Sequence, residues 1–269
     1  TYRKIDQEKI TSQTPILNKM PVLAITPQKF GLLRQPASNR RTLLDWGVYY
    51  KNPEFIKVLK AAKKVISQRN TLLKAKAPIN QITAWDKTLI SLTNKINTMR
   101  LSYFEDLISE LEPKIKATFP DLPIKISYYP GWRKDASFED ILNNNLNMDL
   151  KSGFTHAGVQ RADIKITIER QNANEILSQG QQKTLVSLMF LSQATLFQKY
   201  QNKPCILLLD DLNSELDPNH LRQLLVELLK QKHQLILTAI SKDMPIVKLL
   251  NELVKQPLGE FCLDEKVVV

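Results

Sequence analysis

Apolar positions along the chain fall into two rhythms. From residue 55 they recur at Phe55, Val58, Leu59, Ala62, Val65, Ile66, Leu72 and Leu73, which is one stripe of a helix. Pro78 interrupts it, and a second stripe runs through Trp85, Leu89, Leu92, Ile96, Met99, Tyr103 and Leu107 in alternating steps of four and three. This spacing predicts an antiparallel helical hairpin in which each seam buries the other, although two helices lying on a domain core would show the same spacing. The proline-rich stretch 113–123 reads as its end. The second rhythm is a set of short apolar runs read as strands at 22–25, 124–128, 163–168, 205–209 and 234–238. Residues 205–209 are apolar throughout, as in a central strand of a mostly parallel sheet. Helices are expected from Ser137 to about Met148, from Gln179 onward, and over 218–230 and 244–255. Residues 1–21 read as the tail of a β-rich lobe with a short helix, and 259–263 with 267–269 as a closing hairpin. The class is α/β.

The chemistry concentrates in residues 177–217. Ser178 is a good N-cap and Gln181, three residues on, completes a capping box, so the helix that follows presents free N–H groups and a positive dipole end to an anion. Gly180 lets a backbone approach closely. At the end of the run 205–209 stand Asp210 and Asp211. Two carboxylates at the carboxyl end of a parallel strand lie where open α/β sheets bind ligands, and carboxylate oxygens suit Mg2+. Asp210 is then the metal ligand and Asp211 the group that orients or deprotonates an attacking water. Taken alone, a Ser-x-x-Gln box marks an ordinary helix start, and Asp-Asp after an apolar run is equally a solvated turn.

Composition adds a sign. Lys plus Arg at 38 against Asp plus Glu at 27 leaves a net charge of +11, which suits an anionic partner such as nucleic acid, or is simply a basic surface. The surplus is sharpest on the first hairpin helix, where Lys57, Lys60, Lys63, Lys64 and Arg69 face almost no acid. Such a face can track a phosphate backbone, and it also has the plain reading of solvated charge. Arg40 and Arg41 open a helix whose start ordinarily prefers acids, and contact phosphate or carboxylate if they are not solvated. Tyr129 and Trp132 read as packing residues and His156 as a surface residue. Only Cys205 and Cys262 occur, so no disulfide framework or Cys/His metal cluster is available, which suits a cytoplasmic protein. No apolar stretch approaches the roughly 20 residues of a membrane span.

Taken in order, Leu177-Ser178-Gln179-Gly180-Gln181, a long helix, an apolar strand ending in Asp210-Asp211, and Ser214-Glu215-Leu216-Asp217 resemble the signature motif, Walker B and D-loop of ATP-binding-cassette ATPases. The runs Ile25-Thr26-Pro27, Arg40-Arg41-Thr42-Leu43-Leu44-Asp45-Trp46-Gly47, Gln68-Arg69-Asn70, Trp85-Asp86-Lys87, and Gly158, Arg161 and Asp163 resemble the RecF family, bacterial DNA-repair ATPases of this type. The resemblance implies an ATPase head with an inserted helical arm. Residues 1–50 would be the remainder of an N-terminal lobe, 51–120 the arm, and 121–269 the C-terminal lobe. It implies ATP and Mg2+ as cofactors and a homodimer closing on ATP. Ser178, Gly180 and Gln181 would meet nucleotide held by the other subunit, with Ser214 and Asp217 at the dimer seam. DNA at junctions of single and double strand and mediators of the RecO and RecR type are the implied partners, in recombinase loading at gaps.

A P-loop, Gly-x-x-x-x-Gly-Lys, is the missing part, since none of the seven glycines precedes a lysine. In RecF it lies N-terminal to the segment matched at Ile25, so the expectation is an N-terminally truncated chain with negligible ATPase activity of its own. The alternative is a non-enzymatic module that binds DNA or a partner. A cohesin-like structural ATPase does not fit a hairpin of about 60 residues, whose helices at 1.5 Å per residue reach a few tens of ångströms.

Overall fold

The computed structural model describes residues 3–5, 8–10, 14–210, 218–231, 233–239, 241, 243–254 and 259. In chain order the elements begin with β1 (Arg3–Ile5), β2 (Glu8–Ile10), α1 (Thr14–Lys19), β3 (Val22–Ile25), α2 (Pro27–Phe30) and α3 (Ala37–Lys51). Next come α4 (Phe55–Lys74), α5 (Ile79–Thr83), α6 (Asp86–Thr118), β4 (Ile124–Tyr129), α7 (Phe138–Asn144) and α8 (Leu146–Ser152). The rest are β5 (Asp163–Ile168), β6 (Gln171–Asn172), α9 (Ala173–Ile176), α10 (Gln179–Gln201), β7 (Ile206–Leu209), α11 (Pro218–Leu229), β8 (Gln234–Leu237) and α12 (Pro245–Leu253). The chain forms two compact units, Gln28–Cys205 and Thr1–Pro27 with Ile206–Val269. The boundaries expected at 50 and 120 both fall inside the larger unit, because α4 and α6 share its core. The hairpin expected over 259–269 lies outside the described residues, Gly259 apart.

In the larger unit α4 and α6 are antiparallel: Arg69 pairs with Asp86 at one end, and Glu54 with Lys95 nearer the other. The seam is the predicted stripe, with Phe55, Val58, Ala62, Val65, Ile66 and Leu73 buried on α4. Pro113 does not end α6. Leu107, Leu111 and Ile115 continue its buried stripe to Thr118, and that burial outweighs the roughly 3 kcal/mol that a helix-interior proline costs. Beyond the hairpin, α6 also packs on α3 and α10. At Gly47 of α3 a Cβ would stand 1.9 Å from the Tyr103 ring, so glycine permits that close approach. The Tyr103 hydroxyl accepts from Gln193 of α10, which also donates to the Leu43 carbonyl. Strands β4, β5 and β6 form an antiparallel sheet, with Ile124 opposite Ile168 and Tyr129 opposite Asp163. Trp132 is buried against Phe138, a packing residue as expected.

Four arginines from the helices grip residues 149–163. Arg69, 0% exposed, donates to Asp149 at 2.7 Å, Thr155 at 2.9 Å and Asp86 at 2.9 Å. Arg100 holds both Asp45 oxygens through Nε and Nη2 and donates from Nη1 to the Val159 carbonyl. Burial opposes the Arg100 charge, and Asp45 together with Tyr128 more than offsets it, so its pKa is raised. Arg41 donates to the Ala162 carbonyl, and Arg40 forks onto Asp163 at 2.8 and 3.0 Å while donating to the carbonyls of Leu32 and Gln35. Burial, with the nearby Arg100 charge, lowers the Arg41 pKa.

In the smaller unit β3, β7 and β8 form a parallel sheet with β7 central, as the apolar run predicts. Only one face is fully apolar and covered among the described residues, where Leu23, Ile25, Leu207 and Leu209 are buried; on the other, Val22 and Ile236 are exposed. Cys205, just before β7, is buried, and burial pushes its thiol up to about 12.

Arg69→Met strands Asp149 and Asp86 without their partner, and is expected to lower the unfolding free energy by about 3–5 kcal/mol. Lys60→Ala on the outer face of the same helix leaves it in place. The urea midpoint reads both, and a change below about 1 kcal/mol for Arg69→Met contradicts the buried-anchor role.

Candidate functional site

The start of α10 is built as its spacing predicts. Ser178 Oγ accepts from the Gln181 N–H at 3.3 Å, and Gln181 Oε1 accepts from the Ser178 N–H at 2.9 Å. That reciprocal pair satisfies two donors of the first turn and leaves the N–H groups of Gln179 and Gly180 as the donors that a helix start cannot satisfy itself. Beneath the turn, buried Gln182 donates to the carbonyls of Asn174 and Leu177 and accepts from Arg34 Nε, so the approach to the helix is locked. Ser178 and Gln179 are exposed. A Cβ built on Gly180 meets nothing within 4 Å, and its backbone φ is not positive. No packing among the described residues therefore demands glycine there. Behind this tip α10 is buried on nearly every side from Thr184 to Phe197. The first turn is the part of the helix that faces outward with unmet donors.

Asp210 follows β7 at the carboxyl end of the parallel sheet, its N–H donating to the Ile25 carbonyl. Its Oδ1 accepts from Thr238 Oγ1 at 2.7 Å, the residue that follows β8, so the ends of two parallel strands bring a carboxylate and a hydroxyl together. Both are oxygen donors of the kind that Mg2+ prefers, and Asp210 is only half-buried. Asp211, Ser214 and Asp217 lie outside the described residues. Among the described residues no cluster of three or more His, Cys, Asp or Glu side chains could hold a metal.

The basic residues separate into two groups. Lys57, Lys60, Lys63 and Lys64 are exposed on the side of α4 opposite its buried stripe, joined by Lys74 near its end. Arg69, Arg40 and Arg41 do not join them. The expectation that Arg69 touches DNA is corrected: it falls on the buried stripe between Ile66 and Leu73 and is consumed by two carboxylates. Arg40 is likewise taken up by Asp163, and Arg41 by a backbone carbonyl, so this pair meets carboxylate and carbonyl rather than phosphate. The helix holding them starts at Ala37, three residues earlier than expected. His156, expected on the surface, is half-buried, with Nδ1 2.8 Å from Asp149. Sequence reasoning missed Gln182, Arg34, Asp149 and Arg100. The signal for Arg100 was its position on the α6 stripe, one residue after Met99 and three before Tyr103.

No family model matches the chain. It is 37% identical over 244 residues to the DNA replication and repair protein RecF of Hydrogenovibrio crunogenus, covering 90% of the chain and 67% of that protein. The chain belongs to the RecF family. RecF of Shewanella frigidimarina is 36% identical over 266 residues, covering 98% of the chain and 72% of the relative. Among solved structures, the recombination mediator protein RecF with ATP, of the RecFOR pathway, matches at a TM-score of 0.77 and 25% identity, covering 90% of the chain and 68% of that protein. The α/β fold class expected from the sequence is thus that of RecF.

Within this RecF-family site two substitutions should separate structure from ligand contact. Ser178→Ala removes the cap and should cost about 1 kcal/mol. Gly180→Ala enters open space in helical backbone and should leave stability equal or raise it by up to about 1 kcal/mol. Urea unfolding checks both, and destabilisation by Gly180→Ala contradicts the open geometry.

Proposed function

We propose that this RecF-family chain carries the signature-bearing and Walker B parts of a DNA replication and repair ATPase that dimerises on ATP and acts at single-strand gaps. The observation that carries the reading is the first turn of α10, capped at Ser178, with unmet N–H donors and a glycine whose missing side chain faces open space. A triphosphate presented by a second copy fits such a turn, since it supplies the negative charge and the acceptors together. Ser178 and Gly180 meet the γ-phosphate of nucleotide bound to the opposite subunit, with Gln181 beside them. Asp210, backed by Thr238, holds Mg2+, which when bound neutralises charge on the phosphates. Asp211 orients the attacking water, and Ser214 and Asp217 line the seam between subunits. Many cassette ATPases carry glutamate at the Asp211 position, and the shorter aspartate suits slow, switch-like hydrolysis. Recombinase loading with RecO- and RecR-type mediators completes the reading.

DNA is met by the outward face of α4. Its lysines stand along a 20-residue helix, about 30 Å at 1.5 Å per residue, and among the described residues Lys57, Lys60, Lys63 and Lys64 make no ion pair. This face also favours the second reading, a DNA-binding module that works without nucleotide, because it is complete in the 269 residues while a P-loop is not among them.

The salt dependence of DNA binding tests the first of these. Exchanging Lys57, Lys60 and Lys64 for alanine should weaken binding and reduce the slope of log K against log salt by about one per lysine. An unchanged slope contradicts the assignment. For the nucleotide, this chain alone should hydrolyse ATP at background, and the same sequence preceded by a P-loop lobe should show slow turnover and tighter DNA binding with Mg-ATP. Equal rates from the two contradict the ATPase reading, and DNA binding indifferent to Mg-ATP in the P-loop form favours the module.

A further inference from the structure

At the end of α4 farthest from Lys57, a patch of different character begins. Phe154 is 37% exposed and Met148 44%, and Ser152 Oγ between them donates to the Met148 carbonyl at 2.9 Å. The Phe154 ring lies 4.2 Å from the His156 ring at an interplanar angle of 36°, and the Arg161 guanidinium stands 5.8 Å from the Phe154 centroid. Gly153, at φ +77°, closes α8, and a Cβ there would come 3.1 Å from Lys74 Cγ, so the basic helix runs directly against this loop. Lys151 and Arg161 are exposed beside it. Between residues 142 and 162 the one acid is Asp149, which is buried and committed to Arg69 and His156.

An exposed phenylalanine on a mobile loop would signify little. This loop is held from below instead. The Asn70 side chain accepts from the Thr155 N–H and hydroxyl, both at 2.8 Å, Arg69 donates to the same hydroxyl, and Asp149 accepts from the His156 N–H. Residues on either side of Phe154 are therefore fixed to the buried ion-pair cluster, and the aromatic surface is organised before any ligand arrives. A partly exposed ring on an anchored loop, bordered by a guanidinium and by lysines, matches the chemistry of an unpaired base on its backbone. The π-face takes the base and the cations take the phosphates. Base pairs inside a duplex have both faces covered by their neighbours.

We infer that the Phe154–His156–Arg161 patch is a stacking site for an unpaired base, continuing the lysine face of α4 from duplex onto single strand. The inference rests on the reading of the α4 face as a DNA-binding surface. It adds the chemical feature that lets this side of the molecule tell single strand from duplex.

Fluorescence anisotropy with a labelled oligothymidylate and a blunt duplex of equal length tests it on the whole chain. Phe154→Ala is expected to weaken oligothymidylate binding about tenfold and to leave the duplex unchanged. Phe154→Trp should retain single-strand affinity, and its added tryptophan emission, relative to the unsubstituted chain, should be quenched on binding. Equal losses on both DNAs, or an unchanged single-strand affinity, overturn the stacking site while leaving the lysine face standing; an unchanged affinity also leaves the patch to a protein partner. Failure of the unsubstituted chain to bind either DNA overturns the DNA reading and this inference with it.

Discussion

Buried guanidinium groups are the constraint on which the larger unit depends. Arg40, Arg41, Arg69 and Arg100 reach from three helices into one segment, residues 149–163, and satisfy carboxylates and carbonyls there that helix packing alone would leave unmet. Removing charge from water is expensive, so pairs of this kind hold best where the geometry satisfies the remaining donors as well. The bidentate forks of Arg40 on Asp163 and Arg100 on Asp45 meet that condition. An apolar replacement of equal volume could pack as well, but it would not single out one position for the loop.

That anchoring has a functional consequence in two directions. On one side it starts β5 at Asp163 and so fixes the antiparallel sheet against α3. On the other it places Thr155 and His156 on α4, the helix whose outer face carries the lysines. Separately, Gln182 pins the approach to α10, so its first turn is held with two donors free. The buried arginines are paired, whereas the α4 lysines and the first turn of α10 face solvent. On α4 the buried Arg69 and the exposed lysines share one helix and stand about a third to a half turn apart around its axis.

Much of this was readable from the chain. The capping box at Ser178, the strands around Ile25 and Leu207, and the seam from Phe55 to Leu73 all follow from local spacing, because burial on one face imposes a period. Arg69 was misassigned for the opposite reason. Composition places it with its lysine neighbours, whereas its position, three after Ile66 and four before Leu73, places it inside, and its partner Asp149 lies 80 residues away. Pro113 misled in the same way, since a local rule for helix ends yields when the stripe on either side of it is buried. Phe154 has no periodic signature at all. Its exposure is set by a loop whose anchors, Asn70 and Asp149, come from separate elements.

The decisive property of this protein is whether the open first turn of α10 takes a phosphate from another copy. Sedimentation velocity of this sequence preceded by a P-loop lobe, with and without Mg-ATP, measures that directly when run beside Ser178→Arg. The expected result is a monomer that becomes a dimer with Mg-ATP, and a Ser178→Arg protein that binds ATP equally well but stays monomeric. A Ser178→Arg protein that dimerises like the parent would contradict it.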